Sequence, residues 1–364
     1  MADPEPPSAA PLPAGASEPS ELPPFLAACR RLPTSRTPVW FMRQAGRSLP
    51  EYRAIRGEGS ILDAIKVPDL STEITLQPVR RYGVDAAILY SDIVVPVHAI
   101  GFGVDIAPGV GPVVERPFEG AADLERLRQL EPEEDTPWVL ETVRNLAAEL
   151  PADVPLIGFA GAPFTVASYL IEGRPSRTYA KTKAMMLGDP GLFAALLDAI
   201  AELSLASLRS QVRAGARAFQ LFDSWAGALS VEDYRTAVLP ASTRIFQGMA
   251  DLGVPGIHFG VATGELLTSM AEAGADVVGV DWRVPLDAAR TRLGTGVAVQ
   301  GNLDPEAAFA PWPVLEAKVR SVLDANAGRR GHVFNLGHGV LPETDPDQLA
   351  RVVEVVHGGG RQEA

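Results

Sequence analysis

Eight short apolar runs, each followed by a loop and then a helical pattern, constrain this chain more than anything else in it. They occupy residues 38–42, 85–90, 155–160, 218–222, 256–259, 276–280, 296–300 and 332–336. The runs are near-continuous in apolar residues rather than alternating, which is the pattern of parallel strands covered on both faces. Between them lie helical stripes: Leu192, Leu196, Ile200, Leu203, Leu208 and Val212, then Leu315, Val319, Val322 and Leu323, then Leu349, Val352, Val353 and Val356. Asp304-Pro305 and Asp345-Pro346 read as N-caps followed by proline at the first helical position. Eight strand–helix units in one stretch are what a closed (β/α)8 barrel requires, so the expected fold class is α/β, a single-domain TIM barrel. The competing architecture is an open doubly wound sheet. No Gly-x-Gly-x-x-Gly follows a strand, because Gly101-Phe102-Gly103 lacks the third glycine, and there is no Walker loop. The long connection over residues 91–154 is expected to hold a small hairpin at 104–114 and a helix at 136–150.

Of the 364 residues, 46% are hydrophobic, enough for a sizeable core. The barrel is expected over residues 25–357. Ahead of it, residues 1–24 carry eight prolines and four acidic side chains among small residues. That composition cannot bury enough apolar area to offset ordering, and a disordered tail is expected. Residues 358–364 are expected to fray. The net charge of −13 and pI of about 4.9 argue against nucleic acid or an anionic membrane as partner, since both need a basic face. Cys29 is the only cysteine, so there is no disulfide framework and no thiolate metal cluster, as expected of a reducing cytoplasm. The N-terminus shows no basic stretch followed by an apolar one, and thus no secretory signal. Residues 154–171 are uncharged, but Pro155, Gly158, Gly161 and Pro163 break them into strand, loop and helix rather than a membrane span.

In such a barrel the reactive groups sit at the carboxyl ends of the strands. The strand ends carry, in turn, Arg43-Gln44-Ala45-Gly46-Arg47, Ser91-Asp92, Gly161-Ala162-Pro163-Phe164, Asp223-Ser224-Trp225, Gly260, Asp281-Trp282, Gly301-Asn302-Leu303-Asp304 and Gly337-His338-Gly339. Polar groups flanked by glycine at nearly every strand end point to one convergent site. Arg43 and Arg47 present two guanidinium forks, each able to hold a carboxylate or phosphate through paired hydrogen bonds, unless they form a solvated basic turn. Asp92 is a lone carboxylate in an apolar context, either a turn cap or an ionised group facing a donor. His338 between two glycines reads as functional. Ser224 and Tyr169 are weaker signals, and Arg53 and Arg56 fit a solvated helix face. There is no His-Glu-x-x-His, the five histidines are dispersed, and no Gly-x-Ser-x-Gly elbow occurs. The residues describe an enzyme with no metal and no cofactor site, an arginine-lined pocket and one buried carboxylate.

The segment 41–47 followed by Leu49-Pro50-Glu51-Tyr52-Arg53 resembles the signature of the uroporphyrinogen decarboxylase family. Further matches are Tyr90-Ser91-Asp92-Ile93, Gly161-Ala162-Pro163-Phe164-Thr165, Tyr169 with Glu172-Gly173, Phe222-Asp223-Ser224, Gly301-Asn302-Leu303-Asp304-Pro305 and Asn335-Leu336-Gly337-His338-Gly339. Ser48 departs from the pattern, standing where the family usually has tyrosine. The resemblance implies a (β/α)8 barrel, usually a homodimer, that works without cofactor. It would remove carbon dioxide from the four acetates of uroporphyrinogen III to give coproporphyrinogen III for haem synthesis. It also implies that Arg43, Gln44, Ala45, Gly46, Arg47, Asp92, Tyr169, Ser224 and His338 bind substrate, with Arg56 a further cleft arginine. Asp92 and Arg43 are the expected catalytic pair. Two other readings compete. A corrinoid-dependent methyltransferase of the same fold would need zinc held by cysteine, and Cys29 precedes the first strand. A non-catalytic tetrapyrrole-binding protein would need the arginines but not Asp92.

Overall fold

Seven of the eight runs form one parallel sheet. In chain order the strands are β1 (Ala87–Ile88), β4 (Leu156–Gly161), β5 (Ala218–Asp223), β6 (Gly256–Gly260), β7 (Val277–Gly279), β8 (Ala298–Gln300) and β9 (His332–Val333), each hydrogen-bonded to the next. β2 (Val104–Ala107) and β3 (Gly111–Val114) pair antiparallel as the expected hairpin, Val104 opposite Val114. This computed structural model describes residues 22–359 and Gln362, apart from residues 44, 45, 47, 58 and 108. Since neighbours in the sheet are parallel, each crosses over through helical chain, and all seven carboxyl ends lie along one edge.

The sheet is curled. Gln220 on β5 and Gln300 on β8 are three strands apart, which in a flat sheet means about 14 Å. Instead Gln300 Nε2 donates to Gln220 Oε1 at 2.9 Å, and Trp40 Nε1 donates to Gln300 Oε1 at 2.9 Å. Strands β5 and β8 therefore face each other across a shared interior.

The first run, 38–42, corrects the expectation of eight strands: it is an extended segment with a single bridge, Val39 to Phe334. On one side Phe334 N donates to Pro38 O (2.8 Å) and Trp40 N to Phe334 O (3.3 Å); on the other Asp85 N donates to Val39 O (2.8 Å). The reason is a shortage of free backbone donors. Pro38 has no N–H, and side chains capture two of the remaining donors, Val39 N going to Asp85 Oδ2 (2.8 Å) and Met42 N to Asn335 Oδ1 (3.2 Å).

Asp85 does more than this. Its buried carboxylate also accepts Arg36 Nε and Nη2 at 2.9 and 2.6 Å and meets His357 Nε2 at 2.8 Å. One group thus ties the segment before the first run to the last helix. Asp85→Ala is expected to cost roughly 3 kcal/mol, because it leaves a half-buried guanidinium and a backbone donor unpaired. A urea midpoint that does not move would show that this knot contributes nothing.

The long stripe around Leu192 lies on the helix Pro190–Ala214, capped by Asp189, whose side chain accepts Leu192 N at 3.0 Å. By length and composition this helix alone, among the described residues, could cross a membrane. Yet Phe193, Leu196, Ile200, Leu203 and Leu208 are buried in the protein, and Ser204 Oγ donates to Gly161 O at 2.9 Å. The other stripes fall on Trp312–Asn326 and Pro346–Gly358, and the connection carries the helix Pro137–Glu149. Asp345 caps its helix as expected. Asp304 instead caps a 3-10 turn, Pro305–Phe309, because Pro311 cannot donate to continue it and the α-helix restarts at Trp312.

Residues 1–21, most of the expected tail, lie outside the described residues. Pro24, at the end of that expected tail, begins the helix Pro24–Cys29. Within the segment 358–364, Gln362 has buried partners. Its buried side chain accepts His332 N (3.2 Å) and donates to His332 O (2.8 Å) and Thr37 Oγ1 (3.2 Å).

Candidate active site

The site is assembled on the edge where the strands end. Arg43 closes the first run in a turn: Gly46 N donates to Arg43 O at 2.8 Å, and a Cβ at position 46 would lie 2.7 Å from that oxygen, so only glycine fits. Arg43 itself has φ +58°, a region that costs a non-glycine residue on the order of 1 kcal/mol. The strain aims its side chain at the last strand's loop. A Cβ on Gly339 would lie 2.6 Å from Arg43 Cδ and 2.9 Å from Cγ, so the guanidinium arm crosses directly over that glycine.

Asp92 follows β1, and its Oδ1 accepts Val94 N at 3.0 Å. Burial raises its carboxyl above the usual range, while the Val94 N–H and then the Arg43 charge pull it back. Tyr169 sits on the helix Pro163–Glu172 that follows β4. Burial raises its hydroxyl, the Asp92 charge adds to this, and Arg43 opposes it. Arg43, Asp92 and Tyr169 therefore share one electrostatic field. His338 joins them: its ring stacks on Phe259 (centroids 6.2 Å, planes 23° apart), and burial lowers it to about 4, with Arg43 and Arg283 pushing the same way and Asp281 opposing. At neutral pH it is an uncharged imidazole that can accept and donate one hydrogen bond each.

Ser224 follows β5 and is partly accessible. Its neighbour Trp225 packs on Tyr169 with centroids 3.9 Å apart, and on Tyr179 at 5.0 Å. Beneath them Thr165 Oγ1 donates to the buried Asp223 Oδ1 (2.8 Å) and accepts Trp225 N (3.2 Å). This clamp fixes the Ser224 loop to the helix that carries Tyr169. Phe159, Phe222 and Phe259 form a row of edge-on contacts at 5.4 and 5.9 Å leading to His338. The result is a row of aromatic rings beside one carboxylate opposed by arginine.

Of the residues singled out from sequence, Arg43, Asp92, Tyr169 and His338 are brought together, and Ser224 is adjacent through Trp225. Gly46 shapes the turn. Arg56 ends the helix Pro50–Arg56, donates to Gly59 O at 3.0 Å and lies beside the Tyr90 hydroxyl, to the side of this group. Gln44, Ala45 and Arg47 lie outside the described residues. Sequence reasoning did not single out Tyr179, the Thr165–Asp223 clamp, Arg283 or the space above Gly339. Trp225 and Gly339 stood in the strand-end pattern without a role, and Tyr179 carried no signal. Among the described residues no group of three His, Cys, Asp or Glu side chains could hold a metal ion, and Cys29 is buried in the first helix.

Comparison with known proteins bears directly on this geometry. Residues 21–359 match the family model described as uroporphyrinogen decarboxylase (URO-D). The chain belongs to the uroporphyrinogen decarboxylase family. It is similar to the uroporphyrinogen decarboxylase of Salinispora tropica, 64% identical over 92% of this chain and 90% of that protein. It is also similar to the uroporphyrinogen decarboxylase of Streptomyces griseus, 63% identical over 92% and 91% of the respective chains. Among solved structures, a methyltransferase from Methanosarcina mazei superposes with a TM-score of 0.77 at 19% identity, covering 91% of this chain and 96% of that one. That likeness shows a shared fold and nothing about chemistry. Family membership covers all of the strand ends that build the site.

Proposed function

We propose that this protein is a carboxy-lyase of tetrapyrrole biosynthesis that decarboxylates the four acetate side chains of uroporphyrinogen III, giving coproporphyrinogen III. It does so on a (β/α)8 barrel whose eighth stave is the segment 38–42, a reading supported by its bonds to Phe334 and Asp85. The observation that carries the chemistry is Asp92: a carboxylate taken partly out of water, beside Tyr169 and in the field of Arg43. Four pyrrole N–H groups need a shared acceptor, and a carboxylate has the lone pairs for them. Eight substrate carboxylates need guanidinium forks, which Arg43, Arg47 and Arg56 supply in an otherwise acidic protein.

Decarboxylation needs an electron sink, and the pyrrole provides it without a cofactor. Protonation of the ring carbon beside the pyrrole nitrogen, next to the carbon that bears the acetate arm, makes a cation conjugated with that acetate-bearing carbon. The bond to the carboxylate then breaks, its electron pair flows into the ring, and carbon dioxide leaves. A second proton turns the exocyclic methylene into a methyl group as the ring proton departs. An ionised Asp92 stabilises the intermediate positive charge in a partly desolvated site, where such an interaction is far stronger than in water. His338, uncharged at neutral pH, positions a substrate arm rather than delivering a proton as imidazolium. Tyr169 and Ser224 hold further arms.

The test is direct. Anaerobic incubation with uroporphyrinogen III followed by oxidation should convert an octacarboxylic porphyrin into a tetracarboxylic one. Recovery of only octacarboxylic product would mean a binding protein instead. The methyltransferase reading gains nothing from the shared fold, since the only cysteine is buried away from the strand ends. Family resemblance supports a homodimer, which a native mass measurement checks, and the single thiol fits a cytoplasmic setting.

A further inference from the structure

Arg283 follows β7 and has no role in the chemistry above, yet its surroundings are those of a prepared anion clamp. Its Nη1 donates to Asp281 Oδ2 at 2.6 Å, and its backbone N donates to Asp281 Oδ1 at 3.1 Å. Asp281 is buried and is itself held by Ala262 N at 2.5 Å. The guanidinium carbon sits 4.0 Å over the Trp282 ring. Partners along one edge and one face fix the group before any ligand arrives, which removes much of the ordering cost of binding. Still, 49% of the side chain is accessible, so the remaining N–H donors can take a carboxylate.

Its place relative to the site follows from Gly337 and His338. A Cβ at position 337 would run into the Trp282 backbone, so the loop carrying His338 lies directly against the loop carrying Arg283. His338 is the residue on which both arginines bear, whereas Arg43 is the arginine acting on Asp92. Arg283 thus stands at the His338 side of the site, and Arg43 is the arginine that bears on Asp92. A fixed clamp there suits an arm that survives every turnover, because an acetate bound at that point would vanish as the reaction proceeds.

We propose that Arg283 is a further substrate-binding residue, taking a propionate carboxylate of the tetrapyrrole beside His338. The inference rests on the function proposed above, and its test separates the two. Arg283→Gln should raise KM for uroporphyrinogen roughly 10- to 100-fold while kcat stays within about 3-fold, with Arg283→Lys in between. The same KM factor should appear with a pentacarboxylic porphyrinogen, which retains all its propionates. The His338 imidazole, followed by NMR in the absence of substrate, should titrate at higher pH in Arg283→Gln, because one repelling charge is gone. Arg320→Gln, which removes an exposed arginine paired with Glu316, is the matched control and should change neither constant.

An unchanged KM for Arg283→Gln in the presence of an active wild type would overturn the proposal, as would a loss confined to kcat. A KM penalty seen with the octacarboxylic substrate but not the pentacarboxylic one would overturn the propionate assignment. A wild type inert towards uroporphyrinogen would defeat the functional reading, and the NMR titration would still report whether Arg283 faces His338.

Discussion

Asp92→Asn should abolish most of the activity and leave the fold as stable as before or more so. The substitution keeps the shape and the acceptor oxygen but removes the charge that stabilises the ring cation. Losing one preorganised electrostatic partner of this kind costs roughly 10²–10³-fold in kcat. The stability half of the expectation comes from proton linkage. Burial raises the folded Asp92 pKa above its unfolded value, so the folded state binds the proton more tightly. Its contribution to stability is therefore present at low pH and is lost as pH rises through the folded pKa. At pH 7 the ionised carboxylate burdens the fold, and asparagine relieves it. A thermal midpoint at pH 7 equal to or above wild type, with kcat collapsed, is the expected pair of results. Wild-type turnover by Asp92→Asn would end the electrostatic account. For the same reason the acid limb of kcat/KM should lie above the usual aspartate range of about 4. Arg43→Gln should move that limb to still higher pH, since Arg43 now pulls the Asp92 carboxyl down.

The second large effect is expected at a residue that touches no substrate. Gly339→Ala places a methyl group within 2.6 Å of Arg43 Cδ, and the arginine arm must leave its path. Displacing a positioning group by about 1 Å can cost on the order of 10²-fold, so kcat/KM should fall by about that much. Gly296→Ala, with nothing within 4 Å of the added carbon, should leave it unchanged. Near-normal activity in Gly339→Ala would mean that Arg43 does not work from the position it holds here. What separates the two glycines here is the Arg43 arm above one and open space above the other.

Several expectations came through because they rest on periodic or local chemistry. Continuous apolar runs marked seven strands, because a strand covered on both faces has no polar side to show. Asp345-Pro346 marked a helix start, because capping needs only residues a turn apart. Arg43, Asp92, Ser224 and His338 stand together in the strand-end pattern because this architecture puts all its carboxyl ends on one edge. Where a rule failed, a distant side chain had intervened. The first run does not form a regular strand because Asp85 and Asn335 take its backbone donors. Distant partners also decide the setting of the Gln362 side chain, which His332 and Thr37 hold.

The sequence by itself determined most of the strand and helix segments, and which polar residues would follow the strands. Propensity, period and capping act between residues a few positions apart and can be read along a line. The tertiary structure alone decided how far the sheet curls, which arginine bears on Asp92, and what lies above each glycine. Trp40 meets Gln300 across 260 positions and Met42 meets Asn335 across 293. Contacts of that span depend on how the packed layers close on one another. No local pattern of residues encodes their distances.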